Sequence, residues 1–264
     1  MIDYLIHNLQ VSLDGMFGYM TPRLWTLGVI LPFLMAMFFT ALVHPLIVKR
    51  ATSRNMFDNP DKRKLQSRPI PVMGGLAVFF GIVVGAGATS VFFNSYALFT
   101  CVITLTVMMY VGMLDDMVEL FLVAFVVYMD KTNINDLHGV FGIGKLPVWV
   151  SLPLCSVSCL GIINSINLID GVDGLSSGLC IFACMCFGVV FCSSYDGTMG
   201  VMASLAAGAL VPFFFHNVFG AKSKMFVGDS GTLMLGMLMS IFCMRMIDNT
   251  SLTAYNHPRM GVVA

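Results

Sequence analysis

The sequence predicts an all-α integral membrane protein, a polytopic bundle of about eight transmembrane helices with the fourth one short. Three observations carry that expectation. Hydrophobic residues make up 58% of the 264-residue chain, charged residues 11%, and mean hydropathy is +0.87. A soluble domain carries roughly 25% charged residues, so too little polar surface is present to cover a water-facing globule. The apolar residues also fall in repeated runs of about 20, the length of helix that crosses roughly 30 Å of hydrocarbon. Finally, the cations gather in a few stretches between those runs. Lys+Arg 14 balance Asp+Glu 14, which excludes a simple electrostatic nucleic-acid surface and a disordered acidic tail. The lipid bilayer is the solvent for most of this chain.

The first span, 27–48, lacks the short apolar core and small-residue cleavage site of a signal peptide and counts as structure. His44-Pro45 inside it reads as a kink with a locally bonded histidine. Spans at 72–93 and 97–114 follow. The stretch 121–129 is strongly apolar but about half a span long; parity requires it as a crossing. Further spans are expected at 147–168, 178–195, 199–215 and 231–247, all within one transmembrane domain over 1–264. Trp25 and Trp149 sit near span ends, as interfacial anchors do. The eight cysteines lie in apolar runs without a CxxC pair and read as small buried hydrophobes. The methionines and phenylalanines, 22 of each, read as packing and lipid contact.

Orientation follows from the cations. Lys49, Arg50, Arg54, Lys62, Arg63, Lys64 and Arg68 crowd the first loop, at about 49–71, and Lys222 and Lys224 precede the last span. With eight crossings both loops share one side, against Arg23, Lys131, Lys145 and Arg259 on the other. The positive-inside rule makes the richer side cytoplasmic.

Eleven of the 14 acids fall into two groups. Asp3, Asp14, Asp130, Asp136, Asp196 and Asp248 fall at the outer ends and read as solvated charges or helix caps. Asp115 and Asp116 end the third span in GMLDDMVEL, Asp170 and Asp173 follow the 147–168 span in NSINLIDGVDGL, and Asp229 opens the last span in MFVGDSG. Tracing the crossings brings all five to the cytoplasmic face. Carboxylates at the membrane are costly and mark function. Several together repel unless a cation or protons relieve them. Hard carboxylate oxygens suit Mg²⁺, or Mn²⁺, which keeps waters and completes its shell with substrate phosphate. The adjacent glycines at 171, 174, 228 and 231 permit close backbone approach to a ligand. The first loop, DNPDKRKLQSRPIPVMGG over 58–75, supplies cations for phosphate oxygens on the same face, although topology alone also produces such a loop. His216-Asn217, ending the 199–215 span on that face, is a candidate for touching substrate.

In order, DNPDKRK with RPIPVMGG, GMLDD, NSINLIDGVDGL and KMFVGDSGTLMLG make the chain resemble the prokaryotic polyprenyl-phosphate N-acetylhexosamine-1-phosphate transferase family. NSINLIDGVDGL is the most specific block and LDD alone the least. The resemblance implies a Mg²⁺-dependent enzyme of the bacterial cytoplasmic membrane, its site facing the cytoplasm. It would transfer a sugar-1-phosphate from a UDP-sugar to polyprenyl (undecaprenyl) phosphate, releasing UMP and beginning cell-envelope polysaccharide synthesis. It implies that Asp229 and Asp116 hold the metal, and that Asp115 and Asp116 sit by the attacking phosphate as the catalytic pair. Asn164, Asn167, Asp170 and Asp173 would line the nucleotide-sugar site, with Lys64 and Arg68 as phosphate-side cations. The partners are then UDP-sugar, polyprenyl phosphate and the bilayer, not nucleic acid; a homodimer is a further expectation.

The chain departs from the family pattern at three places. Gln66 stands where many relatives carry His; the region after GMLDDMVEL is shortened; and no counterpart of the family's C-terminal helices and His- and Arg-containing loop follows, His257 being isolated. A shortened member that only binds lipid or nucleotide sugar is therefore the competing expectation. A cation transporter would instead place its acids near the bilayer midplane. A CDP-alcohol phosphatidyltransferase would need an arginine after DGVDGL.

Overall fold

The computed structural model describes residues 26–54, 57–58, 70–71, 73–90, 96–111, 134, 136–140, 143–193, 196–220 and 223–248. Seven α-helices lie within them: α1 (Leu31–Ser53), entered through a π-helical turn over Thr26–Ile30, α2 (Gly74–Thr89), α3 (Tyr96–Val111), α4 (Val148–Ile169), α5 (Leu175–Ser193), α6 (Gly197–Phe219) and α7 (Asp229–Asp248). Each matches one expected span. The eighth, over 121–129, lies outside the described residues. Hydrocarbon offers no partner to a backbone N–H, so a crossing segment must satisfy its own ladder, as a helix does. The stretch Gly28–Ser53 that contains α1, α4, α5, α6 and the stretch Asp229–Ile247 of α7 are long and apolar enough to cross a membrane. This is a multi-pass membrane protein.

Two short antiparallel pairs modify the all-α expectation. β1 (Phe57–Asp58) pairs with β2 (Ile70–Pro71), in register Phe57↔Pro71 and Asp58↔Ile70. β3 (Asp136–Val140) pairs with β4 (Ile143–Lys145), in register Asp136↔Lys145 and Val140↔Ile143. Both fall in connections between helices. Their presence corrects the expected boundary of α2: the chain stays extended through Pro71, whose carbonyl accepts from Phe226 N at 2.9 Å. The helix therefore starts at Gly74, not 72, and its 16 residues rise roughly 24 Å. At the α4–α5 junction Gly174 takes φ +71°, a conformation that costs glycine little, and α5 begins at once rather than at 178. Asp196 caps α6 by accepting from Met199 N at 3.3 Å, as its loop position suggested. Helix α6 also runs past 215 to Phe219, taking His216 and Asn217 into its last turn.

Helices α6 and α7 form the centre. Over an 18-residue apolar stretch of each, 72% and 78% of the residues are buried inside the protein, against 28–33% for the corresponding stretches of α1, α4 and α5. Helix α6 packs on α5, α1 and α2; α7 packs on α4, α3 and α2. Small residues set the approach, as expected where lipid removes any hydrophobic difference between partner helix and solvent. Gly75 of α2 faces the backbone of Gly231 in α7, and Gly236 lies on the Ile163 backbone of α4. Gly208 of α6 lies on the Phe33 backbone of α1.

Helix connectivity gives the bundle two distinct ends. The Asp170–Gly174 turn and the segment joining α6 to α7 share one end. The start of α2 is there too, since Gly74 N donates to Phe226 O and Gly75 N to Val227 O, both at 2.8 Å. At the other end Ile134 is fixed to α4, its carbonyl accepting from Ser151 Oγ at 2.7 Å and its N–H donating to Cys155 Sγ at 3.2 Å.

Candidate active site

The end of the bundle that carries the acidic motifs is built from three backbone segments locked by side chains of α4 and α6. Asn217, fully packed at the end of α6, accepts from Gly174 N at 2.5 Å and donates through Nδ2 to Met225 O at 2.7 Å. One amide thus ties the α4–α5 turn to the segment leading into α7. Both functional ends of Asn217 are occupied by protein, so it braces the site rather than offering itself to substrate.

Asp170 does the same from the other side. Its Oδ1 accepts from Ser176 Oγ at 2.7 Å, and its Oδ2 accepts from Gly228 N at 3.1 Å. Gly228 has φ +77° and turns the chain into α7, whose first residue is Asp229. Its carbonyl accepts from Gly231 N and Thr232 N, both at 2.9 Å, closing the first turn. Asp170 thereby holds the turn that leads into Asp229. Of the predicted lining residues it is the buried one, and both of its oxygens have protein donors.

Burial pushes the Asp170 carboxyl above the ordinary carboxylate range; the Ser176 hydroxyl and the Gly228 N–H pull it back, while the neighbouring charge of Asp229 pushes it up. A carboxyl raised in the folded state binds more protons there than in the unfolded chain. Stability from this group is therefore present at acid pH and is lost as pH rises from the unfolded value, about 3.9, through the folded one. Asp170→Asn keeps an acceptor and removes the charge. The melting temperature of Asp170→Asn minus that of wild type is expected to increase as pH rises across that window; a difference independent of pH would reject this account.

The remaining acids face outward. Asp229 is exposed and makes no side-chain hydrogen bond among the described residues. Asp173 is exposed and pairs with Lys224 across the gap between the α4–α5 turn and the α6–α7 segment. Asn167 on the last turn of α4 accepts from Thr232 Oγ1 at 3.1 Å; that hydroxyl also reaches Asp229 O at 2.9 Å. Asn164, one turn earlier on α4, is exposed. The structure thus gathers Asn167, Asp170, Asp173 and Asp229 around one segment. Lys64, Arg68, Asp115 and Asp116 lie outside the described residues. Among the described residues no three His, Cys, Asp or Glu side chains cluster closely enough to hold a metal. Mg²⁺ commonly takes only one or two protein carboxylates and completes its shell with waters and phosphate. Asp229, exposed, without a hydrogen bond and beside a second carboxylate, has the donor chemistry for that role.

Two members carry no signal in the sequence. Ser176 and Thr232 are ordinary hydroxyls in sequence, and nothing marks them until the fold sets them against Asp170 and Asn167. His44 is a correction: expected to be locally bonded, it is fully buried with neither ring nitrogen hydrogen-bonded among the described residues. Its ring lies on that of His216 instead, centroids 4.2 Å apart and planes 10° from parallel.

The family model described as "Glycosyl transferase family 4" matches residues 97–247. A Bacillus subtilis protein named "Probable undecaprenyl-phosphate N-acetylglucosaminyl 1-phosphate transferase" is 27% identical over 227 residues, covering 81% of this chain and 62% of its own. An "Undecaprenyl-phosphate alpha-N-acetylglucosaminyl 1-phosphate transferase" from Thermotoga maritima is 27% identical, covering 72% of this chain and 57% of its own. A "Phospho-N-acetylmuramoyl-pentapeptide-transferase" from Caldicellulosiruptor bescii is 24% identical, covering 80% and 71%. The chain spans about three fifths of the length of the first two.

Proposed function

The chain belongs to glycosyl transferase family 4, and from that premise we propose that it transfers a sugar-1-phosphate from a UDP-sugar to polyprenyl phosphate, releasing UMP. N-acetylhexosamine-1-phosphate is the group proposed, in keeping with the names of the Bacillus and Thermotoga relatives. The meeting of Asn167, Asp173 and Asp229 at one end of the bundle, on a segment braced by Asp170 and Asn217, supports this reading. That end also carries Lys49, Arg50, Arg54 and Lys224, and by the positive-inside rule it is proposed to face the cytoplasm.

In the proposed reaction a lipid phosphate oxygen attacks the sugar-proximal phosphorus of the diphosphate, and UMP leaves. Such transfers depend chiefly on positioning and on neutralising the phosphate oxygens. Asp229 is proposed to hold Mg²⁺, or Mn²⁺, with Asp116 as second ligand, and the ion when bound would offset the diphosphate charge. Asp115 and Asp116 are proposed to sit by the attacking phosphate, which is already mostly ionised at neutral pH because its second pKa is about 6. Asn164, Asn167 and Asp173 would contact the nucleotide sugar, and Asp170 would act through the Gly228 turn. Lys64 and Arg68 would meet the phosphates.

Purified protein given UDP-N-acetylglucosamine, undecaprenyl phosphate and Mg²⁺ is expected to release UMP and form the lipid-linked sugar. Saturable UDP-sugar binding with no product above a protein-free control would replace this reading with that of a binding protein.

A further inference from the structure

We infer that His44, deep in the first span, is a positioning residue for the segment that presents Lys224 and Asp229, acting through the faces of its ring on His216. The consequence for turnover rests on the transferase reading above; the structural role does not. His44 is fully buried and its nitrogens make no hydrogen bonds among the described residues, so what it offers its surroundings is a flat ring. One face lies on His216, and Phe213, one turn earlier on α6, meets the ring edge-on, centroids 6.0 Å apart at 60°. The imidazole is thus fixed in plane by α6, and it fixes His216 in turn.

His216 passes that constraint on. Its Nδ1 shares a hydrogen bond of 2.8 Å with Ser223 Oγ. Gly220 lies against both partners: a Cβ there would collide with the His216 carbonyl and the Ser223 hydroxyl. Adjacent residues therefore anchor the two ends of one short stretch, His216 at Ser223 and Asn217 at Met225. Lys224 lies between these anchors and pairs with Asp173; Gly228 and Asp229 follow. A chain of contact runs from α1 through α6 to the mouth of the site. Two rings 10° from parallel direct their nitrogen lone pairs along parallel planes. They cannot converge on one metal ion at the roughly 2.0–2.1 Å that imidazole ligation needs, which leaves stacking as the shared function.

Hydrogen exchange on the 264-residue chain in nanodiscs separates this role from general packing. His44→Leu fills the space without a flat ring, and His44→Phe restores the ring. Exchange over 223–229 is expected to quicken about fivefold or more in His44→Leu and in Ser223→Ala, with the middle of α7 unchanged and His44→Phe near wild type. His216→Phe, which keeps the stack and loses the hydroxyl contact, is expected to loosen 223–229 alone, and it serves if His44→Leu does not fold. Turnover should show a KM for UDP-N-acetylglucosamine raised about fivefold in His44→Leu, with the KM for undecaprenyl phosphate within about twofold. Wild-type exchange over 223–229 in His216→Phe, or a His44→Phe as loose as His44→Leu, overturns the inference. An inactive wild type that still shows the exchange pattern sinks the transferase reading and leaves the positioning role standing.

Discussion

Asp229→Ala is expected to lower UMP release by at least about 10²–10³-fold, the scale of losing one preorganised electrostatic partner of the reacting phosphates. The structure explains why that loss should be confined to chemistry. The Asp229 side chain is exposed and makes no hydrogen bond among the described residues, so its removal leaves no buried donor without a partner. It removes the charge that pushes the Asp170 carboxyl up and also the acid in the first turn of α7, two effects of opposite sign, so the melting temperature should change little. The check is initial-rate UMP release alongside a thermal melt. Equal turnover in wild type and variant, both well above background, would reject Asp229 as the metal-side residue. A collapsed melting temperature would mean that the carboxylate is structural.

Gly75→Leu is expected to have the largest effect on folding. A Cβ at Gly75 would run into the Cα and N of Gly231, with Val227 O at 3.0 Å. These are backbone atoms and cannot rotate aside as a side chain does. Helices α2 and α7 would have to separate, disturbing the Gly74–Phe226 and Gly75–Val227 hydrogen bonds at the base of the site. Overpacking a tight core costs about 1–3 kcal/mol and sometimes more. A backbone-to-backbone collision belongs at or above the upper end, a fall in melting temperature of about 10 °C for a chain of this size. Gly87→Leu on the same helix is the control, because a Cβ there meets nothing within 4 Å. Its expected change is within about 0.5 kcal/mol. Comparable losses at 75 and 87, read by size-exclusion thermostability, would mean that α2 responds to bulk anywhere and not to this crossing.

These two sites differ in how far the sequence reveals them. Asp229 is legible: an acid at the mouth of an apolar span, flanked by glycines, is costly enough to need a reason. Asp170 and Asp229 were expected at one end of the bundle from counting crossings, and they lie there, close enough for one to shift the other's protonation. Their division of labour was not legible. In sequence both are aspartates in Gly-rich turns, and only the fold gives Asp170 two protein donors while leaving Asp229 open. His44 was misjudged for a related reason. Local reasoning looks for a partner within a turn, whereas its partner is 172 positions away on α6. The start of α2 likewise depends on a remote strand-like contact with Phe226, which hydropathy does not register.

By itself the sequence determined the solvent and the apolar stretches that form the seven described helices, because burying a helix in hydrocarbon depends on local apolar length and on a backbone that satisfies itself. It did not determine which helices are central. Of the five long spans, that of α7 is the least apolar and the most buried, while α5 is the most apolar and lies largely outside. Lipid and protein interior are equally apolar, so hydropathy cannot tell them apart. Backbone approach at glycines and alanines decides who packs against whom, and that complementarity between distant segments, Gly75 on Gly231 and Gly236 on Ile163, exists only in the tertiary structure.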